Sequence, residues 1–275
     1  MGTIAWLTLK ESLRRRAGWL ALLVAVLVAL GGFVPLTGRL LLLPRDQADR
    51  FFVGLYVFLA TDILKFFGAV FGIALAAGAI SSELDRGVLT TILPKPIRRT
   101  SVYAGKWLGI LAFVLGSLLF WSLVLFTVAT LRDPHHSHHT VFFALPCVAL
   151  YPIVFTTLAL CFSTFSSFPL AAGLSVIAAG IGWSEGLLRF LERTFAIQTL
   201  GVFANTASYA MPIGRMARWA TRLLGPFPTL EGKTIVLTGP FPDQQPVPLD
   251  FVYIGVYVLL VFVVGALVFS RRDLG

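Results

Sequence analysis

Long uncharged runs decide what this chain can become. Ala17–Leu36, Trp107–Leu131, Val141–Phe162 and Phe251–Ser270 contain no Asp, Glu, Lys or Arg, and Pro169–Leu188 contains only Glu185. Each is about as long as the twenty residues a helix needs to cross the hydrocarbon core of a bilayer. Lipid offers no water to backbone N–H and C=O groups, so segments of this kind must be helical. Composition agrees: 57% of the 275 residues are hydrophobic and 13% charged, too few charges to cover a soluble domain of this size. The sequence therefore predicts an all-α polytopic membrane protein. Six transmembrane helices are expected, at about 17–36, 59–80, 107–131, 141–162, 169–188 and 251–270.

Ahead of the first run, residues 1–16 set Trp6, Leu9 and Leu13 at helical spacing beside Lys10 and Arg14–Arg16. That pattern predicts an amphipathic helix lying on the membrane surface. The first run is long for a signal peptide and no Ala-x-Ala-like site follows it, so it reads as an uncleaved span. Six spans place both termini on one side. Of the 22 Lys and Arg, eleven fall on that side, against four of the 13 acids. The excess marks it as the cytoplasmic face. Orientation thus accounts for the net charge of +9, and nucleic acid is not implied. Cys147 and Cys161 share one apolar run, so no disulfide framework is read from them.

The expected extracytoplasmic loop, 189–250, departs from simple spans. Ile213, Met216, Ala220 and Leu223 share one helical face and Arg215, Arg218 and Arg222 another, the pattern of a basic interfacial helix. Gly225-Pro226 ends it, and a proline-rich stretch with a β-like run at Thr234–Leu237 completes what reads as an external cap. Gly173, Gly180 and Gly182 in the fifth span predict packing against protein. Asp62 and Lys65, spaced i, i+3 in the second span, predict a local ion pair.

Two motifs carry possible chemistry. Gly182-Trp183-Ser184-Glu185-Gly186 matches the G-x-S-x-G nucleophile pattern, which would make Ser184 the nucleophile of an intramembrane hydrolase. Small residues at the end of an apolar helix are the favoured account. All four histidines, His135, His136, His138 and His139, fall in one turn. Such tracts can hold a transition metal, although a short polar turn between two spans explains them as well. No G-x-x-x-x-G-K-[ST] phosphate loop occurs, so hydrolysis of ATP is not expected of this chain alone.

Between the second and third spans lies a polar island, 81–106, too short to fold independently. Leu84, Val88 and Ile92 fall on one face of a short helix, Glu83, Asp85 and Arg86 fall around the others, and Pro94 and Pro96 stop it. The pattern Glu83-x-x-x-Gly87-Val88-Leu89, followed by Leu93-Pro94, Pro96, Arg98 and Gly105-Lys106, resembles the segment after the second span in ABC type-2 transporter permeases. Phe269–Leu274 resembles the usual end of that family, and Met211-Pro212-Ile213-Gly214-Arg215 its proline-centred element before the last span. Val88 stands where the family usually has threonine.

The resemblance implies the permease subunit of an ATP-driven transporter, an exporter in a bacterial inner membrane. It would dimerise with a second copy or a paralogue and bind cytosolic ABC ATPase subunits, which would carry the ATP and Mg; this chain would hold no cofactor. Glu83, Leu84, Asp85, Arg86, Gly87, Val88 and Ile92 would then form a coupling helix seated on the ATPase. Arg98, Arg99 and Lys106 would contact lipid phosphates or that partner. A non-transporting scaffold or sensor with a cytosolic partner is the reading from another class.

Overall fold

A computed structural model describes residues 2–14, 17–34, 44–85, 99–225, 227–228, 234–235 and 246–271. Ten helices run through the described residues: α1 Gly2–Arg14, α2 Ala17–Gly32, α3 Arg45–Ala76, α4 Ser81–Asp85, α5 Arg99–Arg132, α6 Thr140–Ser163, α7 Phe168–Phe195, α8 Gln198–Ala210, α9 Ile213–Leu224 and α10 Leu249–Arg271. Two-residue strands, β1 Phe227–Pro228 and β2 Thr234–Ile235, pair antiparallel with Phe227 opposite Ile235. Five helices are long and apolar enough to cross a membrane, and α2 is a shorter apolar helix. The chain is an all-α polytopic membrane protein.

Helix α6 is the centre of the bundle. Its most hydrophobic stretch is 61% buried, whereas that of α10 is 17% buried and faces outward along most of its length. The most extensive packing is between α3 and α6, and α6 also touches α5, α7, α9 and α10. Gly72 allows the α3–α6 crossing: a Cβ there would lie 2.6 Å from Thr156 Oγ1 and 3.2 Å from the Pro152 carbonyl oxygen. Close backbone approach at a small residue is how helices gain contact in lipid, where hydrophobicity does not draw them together.

Polar side chains then fasten the helices. Trp121 donates to the Ala21 carbonyl (2.8 Å), Tyr56 to the Val28 carbonyl (2.8 Å) and Trp107 to Thr157 Oγ1 (2.9 Å), joining α5 to α2, α3 to α2, and α5 to α6. Thr61, Ser117, Ser122 and Ser175 return their hydroxyls to the carbonyl four residues back, which satisfies those four donors in the apolar interior.

Several boundaries differ from the sequence reading. Helix α3 begins at Arg45 rather than near residue 59. The charged residues 45–50 resemble a loop, but Ala48, Val53, Tyr56 and Val57 are buried at helical spacing, and Arg132 meets Asp49 at 3.7 Å. Helix α5 begins at Arg99, so Lys106 is a helical residue rather than part of a loop. Gly173 and Gly180 face open space, and only Gly182 packs closely, against Ile213 and Met211.

The largest difference is in 189–250. Helix α7 continues to Phe195, and α8 packs back along it. The tip between α8 and α9 lies against Gly182, and Tyr151 donates to the Ile213 carbonyl at 3.4 Å. At 1.5 Å per residue, Gly182 lies about 21 Å up α7 from Phe168, and Tyr151 about 18 Å up α6 from Ser163. The tip therefore enters the level of the spans. Helix α9 is not a surface helix with an outward basic face: Ile213, Met216 and Ala220 are buried, and Arg218 is buried with them.

Candidate functional site

The island expected to receive a partner begins where α3 ends. Ala77–Ile80 form a turn: Ala77 donates to the Ile73 carbonyl (2.9 Å) and Glu83 to the Ile80 carbonyl (3.2 Å). Helix α4 starts immediately, and its first amides have no acceptor within so short a helix. Ser163, the last residue of α6, supplies one. Its Oγ accepts from the backbone N–H of Ile80 (3.1 Å) and of Ser81 (3.0 Å). A side chain distant in sequence thus caps α4, and the cap ties the α3–α4 joint to the central helix.

The second tie is ionic. Lys106 Nζ on α5 lies 2.5 Å from Glu83 Oε1, with the Lys106 side chain 8% exposed and that of Glu83 25% exposed. Helix α1 lies across the same place. Gly109 permits it, since a Cβ there would come within 2.6 Å of the Ala5 carbonyl oxygen. Thr8, Glu11 and Ser12 of α1 line a small cavity with Ser82, Glu83 and Lys106. Helices α1, α3, α4, α5 and α6 therefore meet at one charged joint.

Of the residues expected to couple to a partner, Glu83 points inward to Lys106. Leu84 and Asp85 belong to α4, but their side chains lie outside the described residues, as do Arg86, Gly87, Val88, Ile92 and Arg98 entirely. Lys106 pairs with Glu83. Arg99 is partly buried and donates from Nη1 to the Ser270 carbonyl (3.4 Å), linking the start of α5 to the end of α10.

The other candidates are placed as follows. Ser184 sits within the continuous helix α7 and donates to the Ile181 carbonyl (2.7 Å), where a nucleophile elbow needs a sharp strand-to-helix turn. His136 Nδ1 lies 2.9 Å from the Asp133 carboxylate, His138 Nε2 lies 3.0 Å from the Asp133 carbonyl oxygen, and His139 stacks on Phe126. His135 is exposed. Among the described residues no group of three or more His, Cys, Asp or Glu could hold a metal ion. Asp62 and Lys65 form the local pair at 2.7 Å, with Lys65 buried and Asp62 exposed.

A second charged cluster lies at the opposite end of the bundle. Glu185 on α7 is fully buried and accepts from Arg189 Nε (3.1 Å), while Arg218 Nη1 of α9 approaches it at 3.7 Å. Arg189 also donates to Asn205 Oδ1 of α8 (3.1 Å), and Arg215 Nη1 of α9 donates to Asp250 Oδ1 at the start of α10 (2.8 Å). The signal that could have found it is Glu185 with Arg189 at i, i+4 on a helix uncharged from Phe168 to Ser184, because ionised groups in a span are tolerated only when paired.

The sequence model of one family, ABC-2 family transporter protein, matches residues 2–274. This chain belongs to the ABC-2 transporter family. No curated protein matches it. Membership makes the chain the membrane subunit of an ABC transporter rather than its ATPase, and implies an ABC ATPase as partner. The apolar helices and the family together establish a multi-pass membrane protein.

Proposed function

We propose that this permease is half of an ATP-driven exporter in a bacterial inner membrane. It works as a dimer with a second copy or a paralogue, with both termini in the cytoplasm and 81–106 seated on the ATPase. The observation that carries the reading is the joint at Glu83 and Lys106. A segment moved by a closing ATPase can transmit force only if it is stiffly attached to the spans. Here the start of that segment is held by an ion pair to α5 and by a cap from α6. ATP and Mg belong to the partner chain, and this chain supplies the lever.

The test is co-purification of the ATPase with the permease, comparing the wild type with Gly87→Pro. Proline would disturb the backbone of the proposed docking helix without touching the joint. Loss of the ATPase from a variant that still inserts and purifies as a stable species is expected. Retention of the ATPase with unchanged hydrolysis would sink the assignment of 81–106 as the coupling segment.

A further inference from the structure

Helix α3 leaves one stripe exposed, running through Leu59, Asp62, Ile63, Phe66 and Val70. Asp62 is the only charged residue of that stripe, and its side chain is 52% exposed. Because α3 starts at Arg45, Asp62 lies about 25 Å along the helix from that end and about 21 Å from Ala76. It therefore sits at the depth of the hydrocarbon and not at its margin. A charged side chain at such a depth faces protein or water, not lipid tails. Helix α10 makes the contrast. It too is exposed along most of its length, but it carries no charge from Phe251 to Ser270, as a face turned to lipid requires.

The ion pair on α3 is oriented. Its cation is the buried member: Lys65, 9% exposed, donates from Nζ to Asp62 Oδ1 at 2.7 Å and stands over the Tyr151 ring at 5.9 Å. Asp62 Oδ2 accepts no hydrogen bond among the described residues. The pair thus presents its negative end outward.

Aromatic rings stand beside that end. Phe66 follows Asp62 at i, i+4 and shares its face. Its ring packs on Trp183 of α7 with centroids 5.8 Å apart, and both residues stay open, at 48% and 41% exposure. Gly180 precedes Trp183 by one turn, and a Cβ there would meet nothing within 4 Å, so the α7 side of the site also has room. A carboxylate oxygen beside two π faces suits a positive charge carried on an apolar body. The carboxylate offsets the charge, while the rings attract it and cover the apolar part. An anion would be repelled by Asp62, and an uncharged apolar molecule would strip water from the carboxylate and return nothing.

We propose that Asp62, Phe66 and Trp183 bind a lipophilic organic cation, in the passage between two copies of the permease. The passage rests on the exporter reading above; the chemistry of the site does not.

The experiment is isothermal titration calorimetry of the purified full-length permease in a neutral maltoside detergent. Tetraphenylphosphonium is the probe, and tetraphenylborate, an anion of the same shape, is its control. Two variants are compared with the wild type. Phe66→Leu removes a ring and keeps every charge, and Asp62→Asn combined with Lys65→Met deletes the pair without leaving a lone buried ammonium. The wild type should bind the phosphonium saturably and the borate not at all. Affinity should fall about threefold or more without the ring and about tenfold or more without the pair. The proposal is overturned by absent phosphonium binding, by equal binding of the two ions, or by unchanged affinity in Phe66→Leu. The Phe66→Leu arm decides the matter even if the double variant does not fold. Binding is read on the permease alone, whereas the Gly87→Pro test reads ATPase co-purification, so either assignment can fail while the other stands.

Discussion

Exchanging the charges of Glu83 and Lys106 tests whether the joint is an internal brace. At a separation of 2.5 Å and an effective dielectric of about 20, the attraction is roughly 6–7 kcal/mol before desolvation. Lys106, 8% exposed, gives up most of its water, and a charge-assisted hydrogen bond of this kind retains about 1.5–3 kcal/mol net. Glu83 is still 25% exposed, so screening holds the value toward the lower end of that range. Glu83→Lys alone sets two ammonium groups together, and Lys106→Glu alone sets two carboxylates together. Each should lower the unfolding midpoint by several degrees. The double variant, Glu83→Lys with Lys106→Glu, restores an opposite pair in the same place and should recover most of the loss. The assay is thermal unfolding in detergent followed by tryptophan fluorescence, treated as a double-mutant cycle. A coupling of about 1.5 kcal/mol or more is expected. A double variant as unstable as the two single losses combined would refute the brace. The same proteins, purified with the ATPase, add a second reading: if Glu83 instead docks directly on the partner, the exchange recovers stability but not the ATPase.

Further outcomes follow from other contacts. Ser163→Ala leaves the Ile80 and Ser81 amides without their acceptor and should destabilise the protein by about 1–3 kcal/mol in urea or thermal unfolding, whereas Ser163→Thr keeps a hydroxyl there and should lose less. Gly72→Leu forces α3 away from α6 at Thr156 and should abolish a monodisperse peak in size-exclusion chromatography. Ser184→Ala should stay within about 0.5 kcal/mol of wild-type stability, while Glu185→Ala, which strips a buried carboxylate from Arg189 and Arg218, should lose about 3–5 kcal/mol.

The spans were legible in the sequence because a bilayer demands long apolar helices and little else resembles them. The end of α3 and the paired Asp62 and Lys65 could be read for the same reason. Residues 45–58 could not, since the charges around Asp46 and Arg50 mask the buried row Ala48, Val53 and Tyr56. Helix α9 misled in a more instructive way. Its two faces imply an amphipathic helix, but periodicity cannot say which medium each face meets. Arg215 and Arg218 turn toward Asp250 and Glu185, acids on two other helices, while Arg222 stays exposed, and no local pattern announces partners about 30 residues away on either side. At the joint, Glu83 and Lys106 were both singled out from the resemblance. That they single out each other depends on the α3–α4 turn and the phase of α5, which tertiary packing sets.

The short hairpin of α8 and α9 also constrains how the protein is made. Neither helix, at 13 and 12 residues, can cross a bilayer by itself. Arg218 meets a carboxylate on α7, synthesised earlier, but the carboxylate seen on Arg215 belongs to α10, synthesised later. Until α10 is made, the carboxylate that Arg215 meets among the described residues is not in place. The contact that holds Arg215 to Asp250 can therefore form only once α10 has followed the hairpin.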